Sequence, residues 1–257
     1  MKKVRSLIIA FMAIFLTVII SNTVSFAAGS VIELGDVTCL GAASKMKEYF
    51  IDNEILYHIN TTTGDVEELV SVAGESYLNK SVAAVYAGNV YISGTGDMYI
   101  DGNETLKTYV YSISKGQIIN TYNCSISWET DGYVLSQDEY DSGMNPYPIS
   151  IYKLTSQGMK KVRTLSKRSR FAKIVGRGKK KRIIYSSYSK DYTNNKMNIY
   201  SIKLNGKGRK KLATIKPKTK TMQTLLVEDA NSKYCKVFRS DAFYKYVYKD
   251  KKYIKLN

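Results

Sequence analysis

Histidine, proline and cysteine are scarce in this 257-residue sequence, which has one histidine, three prolines and three cysteines. Three prolines are too few for the proline-rich linker that would separate two domains. Three cysteines are an odd number, so they cannot all pair within one chain. Because Cys124 and Cys235 lie inside strand-like runs, we expect both to be buried free thiols.

The scarcity of histidine argues against the commonest catalytic and metal-binding sets. A Ser/His/Asp or Cys/His site needs an imidazole near neutral pH. The single candidate, His58, lies between Tyr57 and Ile59 in a predicted strand, which favours packing. The sequence also has no Gly-x-Ser-x-Gly elbow, no Cys-x-x-Cys pair and no phosphate-binding glycine loop. We therefore predict that the protein is not an enzyme and holds no metal and no cofactor.

The first residues predict export. Three basic residues precede an apolar run from Leu7 to Ile20, which is shorter than the roughly 20 residues that cross a bilayer as a helix. Ser25 and Ala27 occupy the positions that precede a cleavage site of a secretory signal peptide. We predict a signal peptide over 1–27 and one domain over 28–257, secreted, extracellular or attached to the cell wall. The alternative is an uncleaved anchor, which would be the protein's membrane contact.

A tyrosine-centred strand recurs along the chain, and it is followed each time by a turn and a second strand. The spacings between the five tyrosines are 54, 41, 48 and 48 residues, for Tyr57, Tyr111, Tyr152, Tyr200 and Tyr248. A four-stranded propeller blade takes about 40 to 50 residues. Glycine and Asx residues stand between the strands, as at Asp131-Gly132 and Asn205-Gly206, where tight hairpins need positive φ.

These repeats predict an all-β fold, a β-propeller of about five four-stranded blades, with six blades as an open possibility. A single blade cannot bury both of its faces, so stacking around an axis is the natural solution. The first unit has fewer strands than the others, and Gly29 to Leu40 could complete the last blade. The alternative architecture is a pair of β-sandwich domains.

One repeat unit resembles a known family. Ile199 to Leu204, then Asn205 to Gly208 and Lys210 to Leu212, resemble the repeat of TolB-like propellers. The unit is equally similar to secreted bacterial propellers described as low-density-lipoprotein-receptor-related-like, a family of unassigned function. The receptor propellers' Tyr-Trp-Thr-Asp signature is missing, since Trp128 is the sole tryptophan. The resemblance therefore implies the fold and no particular ligand.

Charge divides the chain into two halves of opposite sign. Residues 28–150 contain 17 acidic against 5 basic residues, a net charge of −12, and residues 151–257 contain 5 against 31, a net of +26. Between Lys153 and Lys220, 23 basic residues accompany one acid, Asp191. A surface of this kind attracts polyanions.

We expect the basic clusters to gather at one end of neighbouring blades and to bind an anionic polymer or an acidic protein of the cell envelope. Export and the lack of a reader motif argue against specific nucleic-acid binding, and the sequence does not predict an oligomeric state. The predicted function is thus a non-catalytic binding or scaffold propeller. The predicted polyanion-binding residues are Lys160, Lys161, Arg177, Lys179, Lys180, Lys181, Arg182, Lys207, Arg209, Lys210 and Lys211.

The alternative function is a carbohydrate-active enzyme, a glycosidase or lyase, which would use acidic loops on the opposite face. Glycosidases need two carboxylates on either side of a sugar bond, and tyrosine rings stack on sugars. The loops between second and third strands carry both residue types. The candidate ligand-binding residues there are Asp97, Tyr99, Asp101, Asp138, Asp141 and Tyr192.

Overall fold

The computed structural model describes residues 22–25, 31–34, 48–72, 80–96, 105–137, 146–190, 195–217, 225–239 and 242–256. Across these ranges the regular structure is β-strand, apart from one turn of 3-10 helix at Gly178–Lys180. Tyrosine, isoleucine and valine dominate the strands, because such side chains pack well on pleated surfaces. The prediction of an all-β chain is confirmed.

Five antiparallel sheets follow one another along the chain. Sheet I contains β3 (Tyr49–Asp52), β4 (Ile55–Ile59) and β5 (Val66–Ser71). Sheet II contains β6 (Ser81–Tyr86), β7 (Asn89–Gly96), β8 (Thr105–Ser112) and β9 (Gln117–Tyr122). Sheet III contains β10 (Ser125–Thr130), β11 (Tyr133–Gln137), β12 (Tyr147–Thr155) and β13 (Gly158–Ser169). Sheet IV contains β14 (Ala172–Val175), β15 (Arg182–Tyr188), β16 (Met197–Lys203) and β17 (Lys210–Ile215), and sheet V contains β18 (Leu225–Ala230), β19 (Tyr234–Arg239), β20 (Ala242–Val247) and β21 (Lys252–Lys255).

In every sheet the strand order follows the chain, so each sheet is a simple meander. Stacked meanders of this kind form a β-propeller, and the chain has five blades, as predicted. Sheet I has three described strands, fewer than the other four sheets, as predicted for the first unit. One detail differs from the prediction: Val31–Leu34 (β2) pairs with Asn22–Ser25 (β1) in a separate two-stranded sheet. Val31–Leu34 therefore does not complete the last blade, because its backbone hydrogen bonds are made with β1.

Buried side chains join each sheet to the next. Four apolar clusters fill the I/II, II/III, III/IV and IV/V junctions. At their centres lie fully buried side chains such as Leu56, Tyr91, Ile151 and Ile199. Among the described residues, no cluster combines side chains of sheets I and V. Cys124 and Cys235 are buried in two of these clusters as free thiols, as expected.

The repeated tyrosine marks a β-bulge. In sheets I to IV the register of the last two strands shifts beside Tyr57, Tyr111, Tyr152 and Tyr200, respectively. At a bulge, two residues of one strand oppose one residue of its partner. The additional residue is aliphatic each time: Leu69, Ile119, Val162 and Leu212. Leu69, Ile119 and Leu212 pack against the apolar cluster at the following junction, and Val162 lies exposed beside Gly206 of sheet IV. No such shift separates the paired residues of β20 and β21 in sheet V.

The meander sorts the connections between strands. In each four-stranded sheet the first-to-second and third-to-fourth turns lie at one end, which we call the turn end, and the second-to-third connection lies at the other, the loop end. Contacts between sheets keep the turn ends together: Asn89 at the first turn of sheet II donates to the carbonyl of Thr155 at the last turn of sheet III over 3.0 Å.

Candidate anion-binding face

Most of the predicted basic residues lie exposed at the turn end of sheets III and IV. They form three groups, at the start of β13, in the β14–β15 turn and around the β16–β17 turn. Nine of the eleven are exposed: Lys160, Lys161, Arg177, Lys179, Lys180, Lys207, Arg209, Lys210 and Lys211. We call this surface the basic face.

Lys181 and Arg182 differ from the other nine, because they are half-buried and bonded within the protein. Lys181 contacts Asp131 of sheet III with a nitrogen-to-oxygen distance of 3.0 Å and also bonds the Thr130 hydroxyl. These two contacts tie the β14–β15 turn to the β10–β11 turn. Lys181 therefore stabilises the contact between these two turns, and Asp131 already pairs with its charge.

Arg163 is not among the residues predicted from the sequence, yet it joins sheet III to sheet IV. Its Nη1 donates a hydrogen bond of 2.8 Å to the carbonyl of Gly206 in the β16–β17 turn. Gly206 has a φ of +74°, and a Cβ added there would lie 3.3 Å from the Cβ of Arg163. Glycine therefore suits both the turn conformation and the close approach of the arginine.

Two more arginines hold the same turn. Arg182 donates through Nη2 to the carbonyl of Gly208 over 2.8 Å and through Nε to the Ser201 hydroxyl over 2.5 Å. The guanidinium of Arg209 lies over the ring of Tyr200, with 3.8 Å between its Cζ and the ring centroid. Stacking on an aromatic face fixes the plane of a guanidinium while its edges stay able to donate.

A buried tyrosine lies beneath these arginines. The ring of Tyr185 stacks on that of Tyr200 with 5.4 Å between centroids, and Tyr185 is almost fully buried. Burial raises the pKa of the Tyr185 hydroxyl, and the positive charges of Arg209 and Arg163 act in the opposite direction. The charges of two arginines, one from each sheet, thus act on one hydroxyl group.

The β12–β13 hairpin borders an open cavity of about 530 Å³ at the same end of the molecule. Its lining combines hairpin backbone with two lysines that supply its charge. The lining residues are Thr155, Ser156, Gln157, Gly158, Met159, Lys160 and Lys161. A cavity whose charged groups are both cations favours an anionic occupant.

Three arginines at the III/IV junction have no carboxylate partner among the described residues. Within the described ranges, none of the ion pairs includes Arg163, Arg182 or Arg209. Their internal partners are carbonyls, a hydroxyl and aromatic rings, which leave the positive charge uncompensated. Several fixed cations without counter-charges create a positive potential that an anion can lower.

Other predicted features lie elsewhere. Asp97, Tyr99, Asp101, Asp138, Asp141 and Tyr192 fall outside the described residues. His58 packs in β4 against the ring of Tyr49, 4.9 Å away between centroids, with its Nδ1 4.0 Å from a carboxylate oxygen of Glu67. Among the residues that the structure describes, no group of three or more histidine, cysteine or acidic residues could hold a metal ion, and no helix is long and apolar enough to cross a membrane.

Sequence comparison finds no matching family model and no matching curated protein. Among solved structures, similarity is found to an oligogalacturonate lyase in complex with manganese, with a TM-score of 0.48 and 12% identity over 80% of this chain. A second similar structure is the tricorn protease, with a TM-score of 0.40 and 10% identity over 90% of this chain. The chain spans 60% of the lyase chain and 27% of the protease chain.

The lyase comparison contradicts the prediction that this protein is not an enzyme. That prediction was based on the single histidine and on missing nucleophile motifs. A solved structure with similarity to this chain is that of a lyase. The prediction is withdrawn.

Proposed function

We propose that this protein is an exported propeller that binds an anionic polymer of the cell envelope through its basic face. The observation that carries the proposal is the cluster of nine exposed basic residues at one end of two adjacent blades. Lysine and arginine side chains on one surface attract a chain of negative charges at long range and neutralise those charges at contact. The repeat resemblance to TolB-like propellers and the signal-like N-terminus fit this proposal.

The arrangement of the cations suits a polymer better than a small ion. The three basic groups come from separate turns of two blades, so one ligand must extend across a blade junction to meet all of them. Exposed lysines bind weakly one by one, whereas many contacts along a single chain add together. The proposal therefore predicts binding that depends on polymer length and on salt.

Retention on isolated bacterial cell walls tests this function with the purified full-length chain. We expect retention at 50 mM salt and release at 300 mM salt, since exposed charges are screened. Walls stripped of their anionic polymers should not retain the protein. Equal retention at both salt concentrations, or on stripped walls, would refute the proposal.

Two variants of equal charge separate the basic face from net charge. The first replaces exposed turn-end lysines with glutamine, at Lys179, Lys180, Lys207 and Lys210. The control replaces exposed lysines of sheets III and IV near the loop end, at Lys167, Lys190, Lys196 and Lys216. We expect the first variant to lose about tenfold or more in affinity and the control to lose much less.

A carbohydrate-active enzyme is a second candidate function. The strands that flank the predicted acidic loops, β7 with β8 and β11 with β12, are adjacent in their sheets, so both connections start and finish at the loop end. Their position would bring acids of two blades to one face. Replacing Asp101 and Asp138 with asparagine should then abolish turnover of a glycan, and a broad glycan panel without turnover by the intact chain would argue against this candidate.

A further inference from the structure

We propose that Arg163 and Arg209 form a subsite that binds one phosphodiester group of the polymer at the III/IV junction. This inference rests on the proposed function and deepens it, because it names the chemical group that the polymer carries. It depends on a comparison of two equivalent positions in the propeller and on the geometry of the guanidinium groups.

Arg163 has a structural equivalent in sheet II, which is Asn120. Both residues directly follow the bulged residue of the last strand, Ile119 in one sheet and Val162 in the other. Asn120 donates through Nδ2 to the carbonyl of Gln157 in the next sheet's last turn over 2.8 Å. Arg163 makes the same kind of bond to Gly206, also over 2.8 Å. A neutral amide is therefore sufficient for the structural contact.

Arginine at this position has a charge and hydrogen-bond donors that the contact with Gly206 does not need. Its guanidinium carries a positive charge and five N–H donors, and one of its terminal nitrogens bonds Gly206. Arg163 is exposed as a residue, and no carboxylate lies within ion-pair distance of it among the described residues. The bond to Gly206 holds the guanidinium in place, so little conformational freedom is lost when a ligand binds.

Arg209 supplies the second fixed guanidinium. The ring of Tyr200, 3.8 Å from the guanidinium carbon, supports its plane. Arg209 follows Gly206 by three residues in the β16–β17 turn, and Arg163 bonds the carbonyl of that glycine, so both arginines lie at one turn of the III/IV junction. A ligand group there would face donors from two blades at once.

A phosphodiester matches this pair of donors. Guanidinium groups bind phosphate through paired N–H bonds, and arginine does so better than lysine because its donors form a planar fork. A phosphodiester has two non-bridging oxygens, one for each arginine, and its two ester bonds allow the polymer to continue toward the lysines of the neighbouring turns. The subsite would thus set the register of a polymer that the lysines attract.

A charge-preserving variant tests the subsite. The probe is poly(glycerol phosphate), titrated into the full-length chain and into the Arg163→Lys/Arg209→Lys double variant. The double variant keeps the net charge and loses the forked donors, so we expect its dissociation constant to rise about tenfold or more. Equal affinity of the two proteins would overturn the subsite while leaving the binding function of the basic face intact.

Arg163→Gln is the matched control for folding. Glutamine can repeat the carbonyl contact that Asn120 makes, so Tm should stay close to that of the parent chain while affinity for the polymer falls. A second readout follows the Nε–H resonances of both arginines during titration with inorganic phosphate. Shifts confined to Arg163 and Arg209 support the subsite, even if the protein fails to bind walls and the proposed function falls. Unchanged resonances, or tighter binding of a polyuronate than of poly(glycerol phosphate), would overturn the phosphodiester assignment.

Discussion

The II/III and III/IV junctions join neighbouring sheets through different kinds of side chain. At the II/III junction, neutral groups reach across to backbone carbonyls: Tyr91 donates to Thr155 over 2.7 Å, and Asn120 donates to Gln157. At the III/IV junction, arginine and lysine take part in the corresponding contacts. Because Asn120 makes the equivalent contact with a neutral amide, the positive charge of Arg163 is not required by the fold. The contrast separates charge that has a structural purpose from charge that is available for a ligand.

The largest expected effect on stability comes from replacing glycines in the turns of sheets III and IV. Gly132 has a φ of +71°, and a Cβ added there would lie 2.5 Å from the Tyr86 ring. Gly132→Ala should therefore lower the free energy of unfolding by about 3 kcal/mol, through strain and overlap. Gly178 at sheet IV has a φ of +51° and open space around it, so Gly178→Ala should cost only about 1 kcal/mol. Denaturant melts measure both, and equal losses would contradict the assigned tight contact at Gly132.

Alkaline pH should reveal the next largest effect, at the IV/V junction. Burial raises the pKa of the Cys235 thiol from 9.0 to about 12. The unfolded chain then ionises before the folded one, so stability is complete below pH 9 and is lost as pH rises. By pH 11 this thiol should account for about 2–3 kcal/mol of lost stability. Cys235→Ala should show a shallower decline between pH 9 and 11, and identical slopes would exclude the thiol as a cause.

Replacing one contact residue at each of the two junctions should have a smaller effect on stability. Tyr91→Phe leaves the Thr155 carbonyl without the hydroxyl donor and should lower the free energy of unfolding by about 1–2 kcal/mol. Arg163→Gln keeps a donor at the exposed III/IV contact and should cost about 0.5 kcal/mol or less. The reverse order of the two losses in urea melts would show that the arginine has a structural purpose after all.

Asp131 should have the smallest effect. Its carboxylate is largely exposed where it meets Lys181, and exposed ion pairs contribute about 0–1 kcal/mol. Asp131→Asn should therefore lower the free energy of unfolding by less than about 0.5 kcal/mol, and 0.5 M salt should remove the difference. A loss above 2 kcal/mol would mean that this pair holds the two sheets together.

Local features of the sequence predicted the blades well. Tyrosine-rich strands and glycine turns act over a few residues, which is why the third strands at Tyr111, Tyr152 and Tyr200 could be located before the structure. Arg163 could not be found in this way. It lies in a strand, outside the lysine clusters, and its partner Gly206 is 43 positions away. The bulge beside it is a possible signal, since an aliphatic residue follows the repeated tyrosine's strand at a similar place in four units.

The separate pairing of β1 with β2 also escaped prediction. A strand's partner depends on which edge it meets in three dimensions, and neither composition nor spacing encodes that choice. The half-buried state of Lys181 and Arg182 has the same origin. Their neighbours in the basic run are exposed, and only the contacts with Asp131 and Gly208 distinguish them.

The aliphatic bulge residue gives the propeller a polarity. In three of the first four blades this residue packs against the apolar cluster shared with the next blade, and sheet V shows no register shift in the matching strand pair. A repeat unit of this kind can be duplicated as a whole, because each copy already contains a residue that packs at the junction with its neighbour. The adjacent position is then free to diversify, as the change from asparagine to arginine between sheets II and III illustrates.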